Sequence, residues 1–476
     1  WVNRQPWPLI DPLIGSAIYV FSVALIVLMM RRLAWRTMSR ASAFSRSPLE
    51  RYRQAQFTAR WALLAIHLLA LYALGFGDLI LTYVPTWDGL VSAPATFVSI
   101  LPVVFGWAGL IWANYPLDRS VREHNVLDAL ETAQPIHAMP TAREYLLGNV
   151  RLQILFTLVP VLLVILVRDG AMLAAGQLGY DVRDPTTDLL STLAAVGVVF
   201  VLSPEVLRRI VPTRSLPSSP LRDRLESMCR RLGLRYRDIL LWDTHHTIGN
   251  AAVMGIVPQV RYVMISDLLL TTMSERQIEA VFAHEAGHVM HRHMNWYVVF
   301  IVVFFLMLTG LETRMGDWWI VQAMPQWVPL DLLVVAAGLG LFFVAFGSLS
   351  RSFERQADVF ATRNLTAAAE DQAAPNADGV EVFSSALVHV ARLNNMPLDS
   401  APLYPRRGLR AWYGRIMAHT ATWLHGTIRS RLDYLHHLPN SPETAEAFDR
   451  RMINVRLALL VALCATTVWA GLTIAR

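Results

Sequence analysis

The chain has 476 residues, 54 % of them hydrophobic and 16 % charged, with a net charge of +6 and a mean hydropathy of +0.39. Soluble globular proteins usually carry about a quarter charged residues, so this composition excludes an ordinary soluble domain, and the long uncharged runs predict a polytopic membrane protein. Every basic side chain is arginine, and the arginines gather in loops beside apolar runs, which suits membrane topology and argues against nucleic acid as a partner.

Five apolar runs come first, at residues 13–30, 61–81, 95–113, 152–167 and 189–202. Each of the first four is long enough to cross, or nearly cross, a hydrocarbon core; the fifth is short and reads as tilted or partly interfacial. The loop after the first run holds Arg31, Arg32, Arg36, Arg40, Arg46, Arg51, Arg53 and Arg60 against Glu50 alone. The positive-inside rule places that loop in the cytoplasm and the N-terminus outside. The next loop, 82–94, carries Asp88 and no base, as an outside loop should. Five crossings bring Pro204 to the cytoplasm, and Arg208, Arg209, Arg214, Arg222 and Arg224 agree. The chain begins at Trp1 rather than Met, which leaves room for a trimmed start, and no cleavable signal peptide is read there.

Residues 204–295 read as soluble. A Pro/Ser linker at 212–220 leads to an amphipathic helix at 222–232, with Leu225 and Met228 on one face. Strands are predicted at 239–242, 251–254 and 260–265, with His245, His246 and Gly249 in a loop. Ser274-Glu275-Arg276-Gln277 is a capping box; it starts a helix predicted to run through Ile278, Val281 and Phe282 to His293. That helix carries His284-Glu285-Ala286-Gly287-His288. Four residues along a helix amount to about 400° of rotation and about 6 Å of rise, so the two imidazoles share a face and can grip one metal ion. Glu285 borders that face without needing to be a ligand. Two histidines with an adjacent carboxylate that takes a proton from water is the arrangement of a zinc hydrolase. Cys229 and Cys464 are too few and too separated for a thiolate site or a disulfide framework, so the metal is expected on nitrogen and oxygen.

A sixth span at 296–311 follows almost directly. Trp318, Trp319 and Trp327 suit an interfacial loop outside, and a seventh span at 330–349 returns the chain to the cytoplasm, with Asp331 near the interface. The next helix carries Glu354 and Asp358 one turn apart. A catalytic zinc site commonly has three protein ligands and an open position. Glu354, on the same membrane face as the histidines, is the natural third ligand, and Asp358 is placed to orient a ligand imidazole. The alternative for the two carboxylates is ordinary helix ion pairing with Arg351 and Arg355. Residues 367–378 read as a mobile Ala-rich loop, 380–393 as a helix, and 406–415 as an arginine-rich face toward solvent or anionic headgroups. An eighth apolar run, 457–475, closes the chain and places Arg476 outside. His291 shares the face of His284, but the open coordination position favours another role for it. His293 reads as interfacial, and His436 and His437 as surface residues.

His-Glu-x-x-His, two crossings, and then Ser350-Arg351-x-x-Glu354-x-x-Ala357-Asp358 resembles the integral-membrane zinc metalloproteases of the HtpX and CAAX prenyl protease group. The resemblance covers about residues 221–435. It adds Asn250-Ala251, followed by Gly255, as an edge-strand segment that pairs with substrate backbone. It also adds His425 and Arg431 as a late element, in which the histidine serves the oxyanion and the arginine supports the site; Gly426 stands where the family has proline.

The expected fold is mainly α: a polytopic membrane protein of about eight transmembrane helices with a cytoplasmic α+β zincin-type protease domain. Residues 1–203 form a membrane domain of about five spans, 204–455 a protease domain interrupted by spans 296–311 and 330–349, and 456–476 a terminal span. The expected activity is zinc endopeptidase action on membrane-associated or misfolded proteins, with one Zn2+ held by His284, His288 and Glu354, and Glu285 as general base. The expected setting is a lipid bilayer, that of a bacterial inner membrane, with the active site facing the cytoplasm. A protease of the site-two type would bury its histidines within a span, which Glu275, Arg276, Glu279 and Arg292 argue against. The reading from another class is a transporter or scaffold with a structural zinc.

Overall fold

The computed structural model describes residues 10–40, 46–85, 93–131, 139–315, 330–365, 377–394, 396, 398, 423–440 and 442–474. The expected Trp318–Trp327 loop, the Ala-rich stretch from 367 and the arginine-rich run 406–415 lie wholly or mainly outside these. The chain divides into two compact units, Trp1–Thr213 with Trp242–His246, and Arg214–Leu241 with Thr247–Arg476.

The first unit is helical. Helix α1 (Pro12–Arg40) packs on α4 (Ala93–Glu131). Gly106 and Gly109 of α4 permit the approach, because a Cβ at either would lie 2.8 Å from the Val23 or Val27 side chain of α1. Helix α2 (Arg46–Tyr72) bends by 60° into α3 (Phe76–Tyr83) through Gly75, whose φ of 76° a side chain would resist. Tyr19, Leu63 and Leu110 fill the core between these helices, and Tyr19 and His67 share a buried hydrogen bond of 2.8 Å. Leu13, Phe21 and Leu28 face outward, as lipid-facing side chains do. Helix α5 (Ala142–Asn149) begins with a Thr141–Glu144 capping box and passes through a π-helical turn (Val150–Leu155) into α6 (Phe156–Gln177). The fifth expected span is longer than its apolar run: α7 (Pro185–Ile210) has 26 residues, with Asp184 as its N-cap and Pro at its first turn.

The second unit holds a four-stranded sheet in the order β1-β2-β4-β3, apart from the terminal strand residues Thr213 and Trp242. Its strands are β1 (Thr213–Ser215), β2 (Asp238–Trp242), β3 (Ala251–Met254) and β4 (Tyr262–Ser266). β4 is buried along its whole length, whereas β3 is, among the described residues, an edge strand paired with antiparallel β4, Ala251 opposite Ile265 and Val253 opposite Val263. Helix α8 (Pro220–Leu232) buries Leu225, Met228 and Cys229, and the short α9 (Asp267–Thr272) follows β4. Helix α10 (Glu275–Met290) starts at the expected capping box, with Ser274 Oγ accepting from Gln277 N–H and the Gln277 side chain accepting from Ser274 N–H.

That helix does not run on to His293. His291 caps it, Arg292 takes a left-handed φ of 54°, and α11 (His293–Met315) leaves at an angle of 47°. The break turns the charged α10 away from the apolar α11, so Glu275, Arg276 and Glu279 need not enter lipid. Helix α12 (Leu330–Asn364) covers the seventh apolar run and continues through Glu354 and Asp358; α13 (Ala377–Leu393), α14 (Ile428–His437) and α15 (Pro442–Ile474) complete the unit. Among the described residues, five helical stretches are long and apolar enough to cross a bilayer, and up to seven spans result if each of two further bent helix pairs counts as one.

The distance between α10 and α12 is set at Gly287. A Cβ there would stand 3.1 Å from Ala357 Cα and 3.2 Å from Phe360 Cβ, so glycine lets the two helices pack more closely than a larger residue would. Gly287→Val is expected to cost about 1–3 kcal/mol and to weaken zinc binding by moving Glu354 off the histidines. Thermal unfolding and zinc titration check the two effects.

Candidate metal centre

Because α10 is properly capped, His284 and His288 stack one turn apart on the face that meets α12. Their Nε2 atoms are 3.3 Å apart. Glu354 brings Oε2 to 3.7 Å from His284 Nε2 and Oε1 to 3.5 Å from His288 Nε2. Donors about 2.0–2.2 Å from a tetrahedral zinc lie roughly 3.3–3.6 Å from one another. The three side chains, whose ligand atoms all fall within 4.8 Å, therefore fit such an ion. The donor set, two imidazoles and a carboxylate, is one zinc accepts. Phe383 of α13 stacks on the His284 ring at 5.6 Å and closes its outer side.

Asp358, with no exposed surface, anchors the cluster from behind. Its Oδ1 lies 3.0 Å from His284 Nδ1, off the line of a straight hydrogen bond. Arg431 of α14 grips the same carboxylate with two donors, Nε at 2.8 Å and Nη2 at 2.5 Å. Its Nη1 reaches Glu354 Oε2 at 3.3 Å. Glu354 and Asp358 sit one turn apart on α12, so one guanidinium serves both. Burial opposes ionisation of each carboxyl, but for Glu354 the His425, His284 and Arg431 side chains prevail, and for Asp358 Arg431 and His284 do. Both are held below the ordinary carboxylate range. Burial also opposes charge on His284, but Asp358 holds it above its usual value, whereas burial and the neighbouring His284 push His288 down to about 3.

Glu285 faces the edge strand. Its carboxyl accepts from Val253 N–H of β3, and burial pushes it up to about 7, with His284 acting against the rise and Glu354 with it. A cavity of about 1110 Å³ opens here, walled by Asn250, Ala251, Ala252 and Val253 on one side and by the histidines, Glu285, Glu354 and His425 on the other. Asn250 is exposed at the cavity, and its backbone pairs with Ser266 through Ser266 N–H at 3.0 Å. Asn394 holds the strand's approach by donating to Gly249 O at 2.6 Å and accepting from Gly249 N–H at 3.2 Å.

His425 lies 3.0 Å from Glu354 Oε1 through Nδ1 and is largely exposed. The following Gly426 has a φ of 73°, which proline cannot adopt. This local turn explains glycine at a position where the resembled family has proline. The nine residues given a role in the site from the sequence, Asn250, Ala251, His284, Glu285, His288, Glu354, Asp358, His425 and Arg431, thus lie around one cavity or directly behind it. His436 and His437 are exposed on α14, and His291, which meets Phe360 edge-to-face at 5.5 Å, is not among the three clustered donors. His293 departs from expectation. It is fully buried, not interfacial, and its Nδ1 is 2.9 Å from His288 Nδ1. Gln356, also buried, contacts its far side. The spacing of His293, five residues after His288, carries no warning of this, because the contact depends on the break at Arg292.

Residues 215–396 match the family model described as Peptidase family M48. A CAAX prenyl protease 1 homolog from Arabidopsis thaliana is 26 % identical over 186 residues, covering 36 % of this chain and 42 % of the relative. The chain thus matches less than half of that relative's length. The crystal structure of S. mikatae Ste24p aligns with a TM-score of 0.48 at 16 % identity, covering 91 % of this chain and 100 % of that one. The histidine pair of α10 and the carboxylates of α12 both lie inside the matched region, so residues 215–396 are similar to a Peptidase family M48 domain, which supports the resemblance to membrane zinc metalloproteases.

Proposed function

We propose that the protein is a membrane-bound zinc endopeptidase that cleaves membrane-associated or misfolded proteins, with its site at the cytoplasmic face. The observation that carries this reading is the spacing of His284, His288 and Glu354, which suits one zinc, with Glu285 beside them on the cavity wall. When bound, zinc supplies a Lewis acid that polarises the scissile carbonyl and makes water acidic. Glu285 accepts the proton from the attacking water and delivers it to the leaving amine. A carboxyl raised toward neutrality suits both transfers. Asp358 and Arg431 hold His284 and Glu354 in place, and His425 donates to the oxygen on which negative charge develops.

The exposed edge of β3 supports substrate binding as an added strand, with Asn250 and Ala251 at its start. Since Val253 of the same strand bonds Glu285, the base is registered to the strand that would align the peptide. The arginine-rich segment between the first two apolar runs, at the end of α1 and the start of α2, supports the cytoplasmic assignment.

Zinc analysis of the purified protein, with chelator-sensitive cleavage of a casein-like substrate, tests the proposal. One zinc per chain with no proteolysis would instead mean a structural site in a transporter or scaffold. His425→Ala is expected to lower kcat by about 10²–10³-fold with zinc retained. Cleavage should also fall as pH drops through the Glu285 transition, at or below about 7, because only the carboxylate accepts a proton and a bound cation favours that form. A pH–rate profile of the zinc-loaded protein checks this.

A further inference from the structure

Behind His288 lies a run of polar contacts that reaches the C-terminal helix. His288 Nδ1 meets His293 Nδ1 at 2.9 Å. His293 Nε2 meets Gln356 Oε1 at 3.1 Å. The same oxygen lies 2.8 Å from Arg456 Nη2, and Arg456 belongs to α15, a candidate membrane span. His293 is held flat against Phe353, with ring centroids 4.3 Å apart and planes 4° apart, so its two nitrogens keep these directions.

The direction of every bond in the run follows from its far end. A guanidinium has donors and no acceptor, so Arg456 requires the oxygen of the Gln356 amide. That oxygen can only accept, so His293 Nε2 must carry a hydrogen. Neutral His293 then presents a lone pair at Nδ1, which accepts from His288 Nδ1–H. His288 is left with its lone pair on Nε2, the atom that faces His284 and Glu354. A second proton on His293 would point a donor at His288 Nδ1 and reverse this order.

We propose that Arg456, Gln356 and His293 are positioning residues that fix His288 in its metal-binding tautomer, so that the C-terminal helix takes part in holding the zinc. The proposal rests on the reading of His284, His288 and Glu354 as ligands. Ligand histidines commonly need an acceptor at their far nitrogen; His284 has Asp358 in contact with its own, and for His288 the neighbour is another histidine, whose polarity must be set from elsewhere.

Zinc dissociation constants of the full-length detergent-solubilised protein, measured by competition with a chromophoric chelator, test this, with thermal unfolding as a check on folding. His293→Phe keeps the stacked ring and removes the acceptor. Gln356→Met removes the acceptor at the next position and Gln356→Glu keeps it. Arg456→Met removes the fixing donor and Arg456→Lys keeps one. The first, second and fourth should bind zinc about 10–100-fold more weakly, and the two conservative variants within about threefold of the parent. Parent-like binding by folded Gln356→Met and His293→Phe variants would overturn the proposal, as would Gln356→Glu weakening binding as much as Gln356→Met. If Arg456→Met does not fold, the Gln356 pair decides. A parent protein that binds no zinc would overturn the ligand reading itself, and this one with it.

Discussion

Glu285→Gln is expected to lower peptide cleavage by at least about 10²–10⁴-fold, the range associated with losing a positioned general acid–base, while one zinc per chain remains bound. The amide has nearly the shape of the carboxylate, and Glu285 is not one of the three clustered donors, so the metal should be unaffected. What is lost is a group that can accept a proton from water and return it to the amine. The measurement is single-turnover cleavage of a casein-like substrate beside metal analysis of the same preparation. Cleavage at the parental rate would remove Glu285 from the mechanism. Loss of zinc would mean that the side chain holds the ion or its surroundings together. The same variant offers a way to the unknown substrate, since proteins held by an inactive site can be recovered and identified.

Arg431→Met is expected to destabilise the second unit by about 3–5 kcal/mol, the usual cost of leaving one member of a buried ion pair alone. Asp358 has no exposed surface and Arg431 very little, and the guanidinium supplies both of the close donors on that carboxylate as well as a contact to Glu354. Asp358 also gives the effect a pH signature. Its carboxyl is held below its ordinary value of 3.8 in the fold, where burial is outweighed by Arg431 and His284. Its contribution to stability is therefore complete above that value and lost as pH falls through the lower folded value. Chemical denaturation of the metal-free protein between neutral and acid pH should show a steeper loss in the parent than in Arg431→Met. Because the arginine also reaches Glu354, the variant should bind zinc more weakly even where it remains folded.

Much of the site was legible in local spacing. Ser274 and Gln277 announce the start of α10, and four residues between histidines place both rings on one face whatever surrounds the helix. The apolar runs foretell where long helices lie, although α7 extends beyond its run because Asp184 and Pro185 start it earlier. Glu354 could be named only by its membrane face and by resemblance; as a residue on a helix with Arg351 and Arg355 nearby, it is equally suited to a surface ion pair.

The helical membrane character, the histidine pair with its adjacent carboxylate, and the chemistry those groups can perform all follow from composition or from a helix repeat of a few residues. Tertiary structure decided the rest. The close approach at Gly287 brings Glu354 to the histidines, Arg431 joins two carboxylates from a helix remote in sequence, and the left-handed turn at Arg292 swings His293 inward against His288. None of these distances is contained in a periodicity, since each depends on how closely two backbones pack and on where one helix ends.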